Sequence, residues 1–389
     1  MEIRGVLEDK KSRLAELNVR PYTLDEIKSA SRGIESIVPK SRYPRSGTEE
    51  LSLFERKISN VLDINSKNLL VFTYGMAAVV AAIESTSPNK GTVILHGKNE
   101  YSNNKNYINK TLQKRGVISI EVDSYKIEKL ESIIEESKPQ IVFLETVGNG
   151  LKIPVLDLEK FFQIKYLKEK KPLIILDNTL AAGVITPKQI LTFEGNVIGV
   201  ESGLKFYTRH EGAFGFLYTN NNNLIPDLAE YRKQTGTTPD LYQTKLISSK
   251  LIGRWDFHIR NNLIFRNAKI ISELSNEVCN KNSAFAVHYP NLTNHENYDY
   301  VKGKFPEGAA PLFFIEPKNG ITELELTDEL LKNPIIQKSC EIIESFGYDF
   351  TAIWPNTDMS FVRISAGTEK EDEVIALGNA FKESLRGFS

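Results

Sequence analysis

Short apolar runs separated by longer amphipathic stretches make up most of this chain. The stretches at 76–84, 126–136 and 156–168 repeat apolar residues at helical spacing and predict helices between strands. Strands that are buried on both faces and separated by helices predict a mainly parallel sheet. The seven runs that fit such strands are 69–73, 92–95, 117–120, 141–144, 173–176, 197–200 and 213–218.

The pattern changes after about residue 239. A long helical region reaching about Asn280 gives way to apolar runs at 285–288, 312–315 and 361–364, and a final helix begins near Lys370. We therefore predict an α/β protein with three parts: a polar N-terminal arm (1–40), a large domain with the seven-stranded sheet (41–238) and a smaller C-terminal α+β domain (239–389).

The composition narrows the class of protein. The 389 residues are 41% hydrophobic and 25% charged with a formal net charge of −1, so nothing favours nucleic acid or a membrane as partner. No apolar stretch approaches the roughly 20 residues that span a bilayer, and the N-terminus lacks a signal-peptide core. Because the only cysteines are Cys279 and Cys340, we predict a reducing compartment, the cytoplasm, and no metal site.

Two polar residues that follow predicted strands point to a cofactor. Asp177 follows the run 173–176, and Lys205 follows the run 197–200 after Ser-Gly-Leu. Carboxyl ends of parallel strands form one edge of a sheet, where ligands of such folds bind. Alone, the aspartate could cap a turn and the lysine could be solvated. Together they predict a pyridoxal phosphate (PLP) site, in which lysine forms a Schiff base and aspartate keeps the pyridine nitrogen protonated.

Other strand ends supply the remaining parts of such a site. Gly75 and Met76 lie at a helix start, where backbone N–H groups and the helix dipole favour a phosphate. Tyr101 can stack on a flat ring, and Asn149 can reach a ring hydroxyl or a substrate carboxylate. Arg363, inside an apolar strand, needs a partner; it suits bidentate capture of a carboxylate, and a structural salt bridge is the alternative.

In this order, these motifs resemble those of the cystathionine γ-synthase-like (Cys/Met metabolism) family of fold-type I PLP-dependent enzymes. The resemblance covers residues 40–386 and includes Tyr101, where the family has a ring-stacking tyrosine. The similar segments, with the family pattern in parentheses, are Tyr43-Pro-Arg45-Ser-Gly (Tyr-Ser-Arg-x-x-Asn-Pro-Thr), Tyr74-Gly75-Met76-Ala-Ala (Ser-Gly-Met-Ala-Ala), Glu145-Thr-Val-Gly-Asn149 (Glu-Thr-Pro-x-Asn-Pro), Asp177-Asn-Thr, Ser202-Gly-Leu-Lys205 (Ser-x-Thr-Lys), Val287-His-Tyr-Pro-Asn-Leu (Val-x-Tyr-Pro-Gly-Leu), Glu344-Ser345-Phe-Gly (Glu-Ser-Leu-Gly) and Val362-Arg363-Ile-Ser-Ala-Gly-Thr-Glu369 (Val-Arg-Leu-Ser-Val-Gly-Ile-Glu).

The resemblance implies a divergent member of the family that acts on an L-amino acid with a leaving group at the γ (or β) carbon, by elimination or replacement. Lys205 and Tyr101 would be catalytic, and Lys205 would hold the cofactor as a Schiff base. Tyr43 and Arg45 would reach the phosphate of a neighbouring subunit, which implies a homodimer or a homotetramer. The remaining residues would be cofactor-binding (Asp177, Tyr101, Gly75, Met76, Ser202, Asn149) or substrate-binding (Arg363, Asn149, Glu344, Ser345).

The chain departs from the family pattern around the substrate. Leu204 replaces a threonine before the lysine, and Tyr101 is followed by Ser-Asn-Asn rather than Gly-Gly-Thr. Asn-Pro is missing after the segment that contains Arg45, and only a few residues separate Trp354 from Arg363, where the family inserts a longer loop. The cofactor half of the site therefore matches the family, and the substrate half is remodelled.

Other functions compatible with these residues are a PLP-dependent aminotransferase, a carbon–carbon bond-forming biosynthetic enzyme of the same fold, and a PLP-binding protein without catalysis. Glu344, which the resemblance puts near the distal end of the substrate, favours γ over β chemistry. A nucleotide-binding Rossmann protein is disfavoured, because no Gly-x-Gly-x-x-Gly follows the early strands.

Overall fold

All seven predicted strands of the first half of the chain form one sheet. The structure is a computed structural model that describes residues 44–387 except residue 125 and residues 280–283. The strands are β1 (Leu69–Phe72), β2 (Val93–Gly97), β3 (Ile118–Val122), β4 (Ile141–Glu145), β5 (Leu173–Asp177), β6 (Val197–Ser202) and β7 (Gly215–Thr219). They lie in the order β1-β7-β6-β5-β4-β2-β3, and the sheet is mainly parallel because only β7 runs antiparallel to its neighbours.

Apart from the edge strand β3, both faces of this sheet are buried, as the unbroken apolar runs require. Alternate residues of β5 belong to different apolar clusters: Ile174 and Leu176 to one face, Leu173 and Ile175 to the other. The helices that accompany the sheet are α1 (Glu49–Leu62), α2 (Gly75–Glu84), α3 (Ser102–Asn106), α4 (Ile127–Ser137), α5 (Leu158–Phe161), α6 (Lys165–Lys170), α7 (Pro187–Ile190), α8 (Gly203–Phe206) and α9 (Ile225–Gln234).

A second sheet of five strands follows later in the chain. Its strands are β8 (Phe285–His288), β9 (Leu312–Pro317), β10 (Cys340–Ile342), β11 (Thr351–Asn356) and β12 (Phe361–Ser365), in the order β10-β11-β12-β9-β8. Its helices are α10 (Leu241–Lys250), α11 (Arg254–Asn276), α12 (Tyr298–Lys304), α13 (Glu323–Leu331), α14 (Pro334–Ser339) and α15 (Glu371–Arg386). Gly378 of α15 packs against α11, where an added Cβ would contact Leu274 and Ile271.

The sequence patterns miss some boundaries. The single helix predicted at 156–168 is two short helices, because Ile164 has an extended backbone (φ −53°, ψ 125°) and starts α6. Gly253, also extended, divides the long helical region into α10 and α11. The short strands β10 and β11 are not predicted, since β10 has only three residues and its Glu341 and Ile342 are exposed.

Residues 45–387, in the part of the chain that the structure describes, form one compact unit that contains both sheets. The division into domains at residue 239 stays a prediction, and the predicted arm (1–40) lies outside the described residues. The predicted fold class, a fold-type I α/β protein with a smaller α+β portion, is confirmed. Within the described ranges, none of the helices combines the length and the apolar character needed to cross a bilayer.

Candidate active site

The carboxyl ends of β4, β5 and β6 bring the predicted cofactor residues to one edge of the sheet. Glu145 ends β4, Asp177 ends β5, and the two residues are register partners in neighbouring parallel strands. Lys205 lies in the one-turn helix α8 directly after β6, which pairs with the other side of β5. The edge therefore carries an amine and two buried carboxyl groups.

The amine of Lys205 is surrounded by aromatic side chains. Its Nζ is 4.0 Å from the ring centre of Phe346 and 5.8 Å from the ring centre of Tyr101. Burial, together with the charge of Arg363, lowers the pKa of this amine to about 8, whereas the charges of Asp177 and Glu145 oppose the change. At pH 7 about a tenth of the amine is therefore unprotonated and available as a nucleophile or base, far more than for an ordinary lysine.

Hydrogen bonds connect the two carboxyl groups to the segment that carries Tyr101. Glu145 accepts from the backbone N–H of Tyr101 at 2.6 Å with Oε1 and from the backbone N–H of Asn149 at 2.9 Å with Oε2. The side-chain amide of Asn104 donates to Asp177 Oδ2 at 3.2 Å and to Glu145 Oε1 at 3.5 Å. Burial and the charge of Asp177 raise the pKa of Glu145 to about 8. The network fixes Asp177 while leaving lone pairs for one further donor, such as a protonated pyridine nitrogen.

The start of α2 lies against the end of β6. A Cβ added to Gly75 would lie 3.1 Å from the Cβ of Ser202, and one added to Gly215 would overlap the backbone of Tyr74 and Gly75. Two glycines thus allow this close approach. The first N–H groups of the helix, at Gly75 and Met76, together with the Ser202 hydroxyl are donors that suit a phosphate.

Arg363 is a buried cation within β12. Its side chain is 5% exposed, and its Nε and Nη2 atoms have no hydrogen-bond partner among the described residues. Burial lowers the pKa of the guanidinium to about 10, and Glu344 opposes this change from a distance. Among the residues that the structure describes, no carboxylate forms a salt bridge with it, so the structural alternative finds no support. Two donors are left for a carboxylate ligand.

The segment after β10 holds Phe346 over Lys205. His210 Nε2 donates to the backbone carbonyl of Phe346 at 2.8 Å, and Arg260 donates to the carbonyl of Gly347 at 2.8 Å. Gly347 has φ +83°, and its Cα lies so close to Lys205 that an added Cβ would be 3.2 Å from the lysine backbone. Glycine is therefore needed where this segment crosses the lysine.

The structure brings most of the predicted site residues together. Arg45 is exposed, its backbone carbonyl accepting from the Thr238 hydroxyl at 2.8 Å, and Tyr43 lies outside the described residues. The residues around the site are Lys205, Tyr101, Asp177, Asn149 and Arg363, with Gly75, Met76 and Ser202 at the phosphate end. Glu344 is exposed, and Ser345 forms a hydrogen bond with Tyr348; between Ser345 and Tyr348 the chain passes through Phe346 and Gly347.

Four contributors to the site were not predicted. Glu145 appeared only as the first residue of a motif, and Asn104 only as a departure from the family pattern. Phe346 and Trp354 contact charged groups of the site through their rings. No sequence signal indicates these contacts, because aromatic residues are equally expected in an apolar core.

An amine, a carboxylate and a phosphate-binding helix start at the carboxyl edge of such a sheet define a PLP-dependent enzyme of fold type I. The orphaned guanidinium and the glycine cradle beside Ser202 fit the carboxylate of an amino acid and the phosphate of the cofactor. Comparison with known proteins supports this class of enzyme, because the sequence matches the Cys/Met metabolism PLP-dependent enzyme family over residues 20–382. The chain belongs to this family, and pyridoxal phosphate is its cofactor.

Individual relatives are distant. A cystathionine beta-lyase of Lactococcus lactis subsp. cremoris is 24% identical over 74% of this chain and 69% of that enzyme. A cystathionine gamma-lyase of Saccharomyces cerevisiae is 25% identical over 67% of this chain and 63% of that enzyme. The crystal structure of cystathionine gamma synthase from Xanthomonas oryzae pv. oryzae in complex with cystathionine has a TM-score of 0.73 at 16% identity, covering 90% of this chain and 89% of that one. The predicted class, a PLP-dependent enzyme of the cystathionine synthase and lyase type, is confirmed at the level of the family.

Proposed function

We propose that the protein acts on an L-amino acid with a leaving group at the γ (or β) carbon and catalyses elimination or replacement. The observation that carries this proposal is the pairing of Lys205 and Arg363 around one aromatic ring. Phe346 lies 4.0 Å from the lysine amine and 5.9 Å from the guanidinium carbon. A substrate α-carboxylate bound by Arg363 would hold its α-carbon near that amine.

Each residue has a role that its environment supports. Bound PLP supplies an electron sink for negative charge that develops on the substrate. Asp177 would hold the pyridine nitrogen, Gly75, Met76 and Ser202 the phosphate, and Tyr101 one ring face. Arg363 would bind the α-carboxylate with its two unpartnered nitrogens, and the unprotonated Lys205 amine would remove the proton from the substrate α-carbon.

Chemistry at the γ carbon needs a second proton transfer, which the same amine of Lys205 could perform. Glu344 lies close enough to influence the pKa of Arg363 but forms no salt bridge with it in the described part of the chain. We infer that its exposed carboxylate and the hydroxyl of the half-buried Ser345, which precede Phe346 in the chain, face the distal end of the substrate. They favour a substrate with a polar distal group and, with it, γ chemistry over β chemistry.

Adding candidate amino acids to the holoenzyme while its visible absorbance spectrum is recorded separates this function from the alternatives. Amino acids with β or γ leaving groups should change the spectrum and release ammonia with a keto acid, or form a new amino acid when a thiol is added. An aminotransferase would instead pass the amino group to an added keto acid. Bound cofactor whose spectrum no added amino acid changes, with neither product formed, would contradict both enzymatic proposals and favour a binding protein.

The protein is proposed to be a homo-oligomer, a dimer or a tetramer of two dimers, with Tyr43 and Arg45 completing a neighbour's site. Exposed apolar side chains on the adjacent helices α1 and α10 support a partner surface: Leu53 is 46%, Leu246 49% and Tyr242 79% exposed. Complementation tests it. If sites are shared, inactive Lys205→Ala and Arg45→Ala proteins, unfolded and refolded together, should regain about a quarter of the wild-type activity through mixed dimers.

No regain of activity in that mixture would contradict a site shared between subunits. A cytoplasmic location is also proposed, supported by two cysteines that are both free, the half-buried Cys279 and the buried Cys340.

A further inference from the structure

Trp354 is the cross-strand partner of Arg363. The two residues are opposite each other in the antiparallel pair of β11 and β12, and the guanidinium carbon lies 4.5 Å from the centre of the Trp354 ring. This is the point where the family inserts a longer loop. Here the strands are joined by residues 357–360 alone, and the Trp354 ring lies over the arginine.

Two aromatic rings lie near the guanidinium. Phe346 approaches it at 5.9 Å and Trp354 at 4.5 Å. Ring faces carry negative charge and attract a cation without using its hydrogen-bond donors. This explains how Arg363 can be 5% exposed and yet keep Nε and Nη2 unpartnered. A carboxylate in this position would stabilise the charge equally well but would occupy the donors that a substrate needs.

We propose that Trp354 is a positioning residue that takes the place of a counter-ion, stacking on Arg363 so that its free donors face the substrate carboxylate. The proposal rests on the proposed role of Arg363, which the experiment tests separately. Its specific consequence is that Trp354 affects the binding of the α-carboxylate and not the later chemistry at the amine.

The chain has two tryptophans, which makes the contact measurable without turnover. Trp255 is 79% exposed, and replacing it by phenylalanine leaves Trp354 as the single fluorophore of a common background. L-2-Aminobutyrate, which has no leaving group, and propylamine, the same skeleton without the carboxylate, form a matched pair of ligands. In the holoenzyme, Trp354 emission should change saturably with 2-aminobutyrate and not with propylamine.

Kinetics and binding of variants complete the test. Trp354→Leu should raise KM and the Kd for 2-aminobutyrate roughly 5- to 30-fold, the range expected for a buried cation–π contact. The kcat and the affinity for propylamine should stay within about twofold, and Trp354→Phe should restore most of the affinity because it keeps a ring face.

Three outcomes overturn the proposal: an unchanged Kd for 2-aminobutyrate in Trp354→Leu, an equal loss for both ligands, or no recovery in Trp354→Phe. If the leucine variant fails to fold, the emission of Trp354 and the affinity of the phenylalanine variant still test the proposal. Arg363→Leu separates a failure of the role proposed for Trp354 from a failure of the role proposed for Arg363. If it leaves 2-aminobutyrate binding intact, the proposed carboxylate role is itself wrong; if only this variant loses binding, the role of Trp354 alone is wrong.

Discussion

Glu145 and Asp177 are neighbours at the ends of two parallel strands, and one side-chain amide, that of Asn104, donates to both. Two buried carboxyl groups in such proximity disfavour double ionisation, and burial with the charge of Asp177 raises the pKa of Glu145 to about 8. A pyridinium cation beside Asp177 would offset this repulsion. The two carboxyl groups at this edge of the sheet therefore favour the binding of a cationic ring.

Replacing Asp177 by asparagine removes the charge that would hold the ring protonated and keeps the size of the side chain. We expect kcat to fall by about 10²- to 10³-fold, the usual effect of removing one preorganised charged group, with the cofactor still attached to the protein. Steady-state kinetics and absorbance at equal cofactor occupancy measure this. The control is Asp299→Asn, at an exposed carboxylate on α12; wild-type kcat in Asp177→Asn would contradict the assignment.

The cofactor-free protein should capture PLP through the unprotonated Lys205 amine. Since burial lowers the pKa of this amine to about 8, the rate of covalent capture should rise with pH and reach half its maximum near pH 8. Arg363→Leu removes a cation that lowers the same pKa, so the midpoint should move up by about one unit. Stopped-flow absorbance against pH reports it, with the exposed Arg386→Leu as control. A midpoint that stays the same or falls in Arg363→Leu would contradict the effect of the Arg363 charge on the pKa of Lys205.

Gly215→Ala should weaken retention of the cofactor. The added methyl group would overlap the backbone of Tyr74 and Gly75 and push the start of α2 away from Ser202. We expect roughly a tenfold increase in the PLP dissociation constant, equivalent to about 1.4 kcal/mol. Gly303→Ala is the matched control, since nothing lies within 4 Å of its added Cβ. Equal PLP dissociation constants in both variants would contradict the claim that Gly215 holds the start of α2 in position to bind the phosphate.

Glu201 should make the stability of the cofactor-free protein depend on pH. It accepts hydrogen bonds from Tyr207, Tyr218 and Asn178, and burial raises its pKa from 4.5 to about 7. The folded state thus keeps a proton that the unfolded chain releases. This contribution is complete below pH 4.5 and is lost as the pH rises through 7, on the order of 3 kcal/mol in total.

In Glu201→Gln the group no longer titrates. We expect the free energy of unfolding to fall less steeply between pH 5 and pH 8 than in the wild type, as measured by denaturant titration. Glu194→Gln, on the surface, should follow the wild-type slope. Identical slopes in wild type and Glu201→Gln would show that the carboxyl group is ionised in the folded protein throughout this range.

The parts of the site that the sequence reveals are those with a local signature. Lys205 and Asp177 follow apolar strands, and parallel strands put their carboxyl ends at one edge. Arg363 is recognisable because an arginine inside an apolar strand is unusual, whereas Gly75, ordinary at a helix start, gains meaning only beside the other strand ends.

Contacts between distant segments have no such signature. The partners of Glu145 depend on how three separate segments meet, and the stacking of Trp354 on Arg363 depends on the register of a hairpin whose first strand was not predicted. The sequence therefore shows only that few residues separate Trp354 from Arg363, and not that the two side chains stack.

The central claim is that the cofactor is held at Lys205, and its location can be measured directly. The purified protein should be reduced with borohydride and digested, and its peptides should be analysed by mass spectrometry. We predict a coloured protein whose peptide containing Lys205 carries the reduced pyridoxyl group, with no such label in Lys205→Ala. A colourless wild-type protein that cannot be labelled after incubation with PLP, or a label on another lysine, would contradict the account.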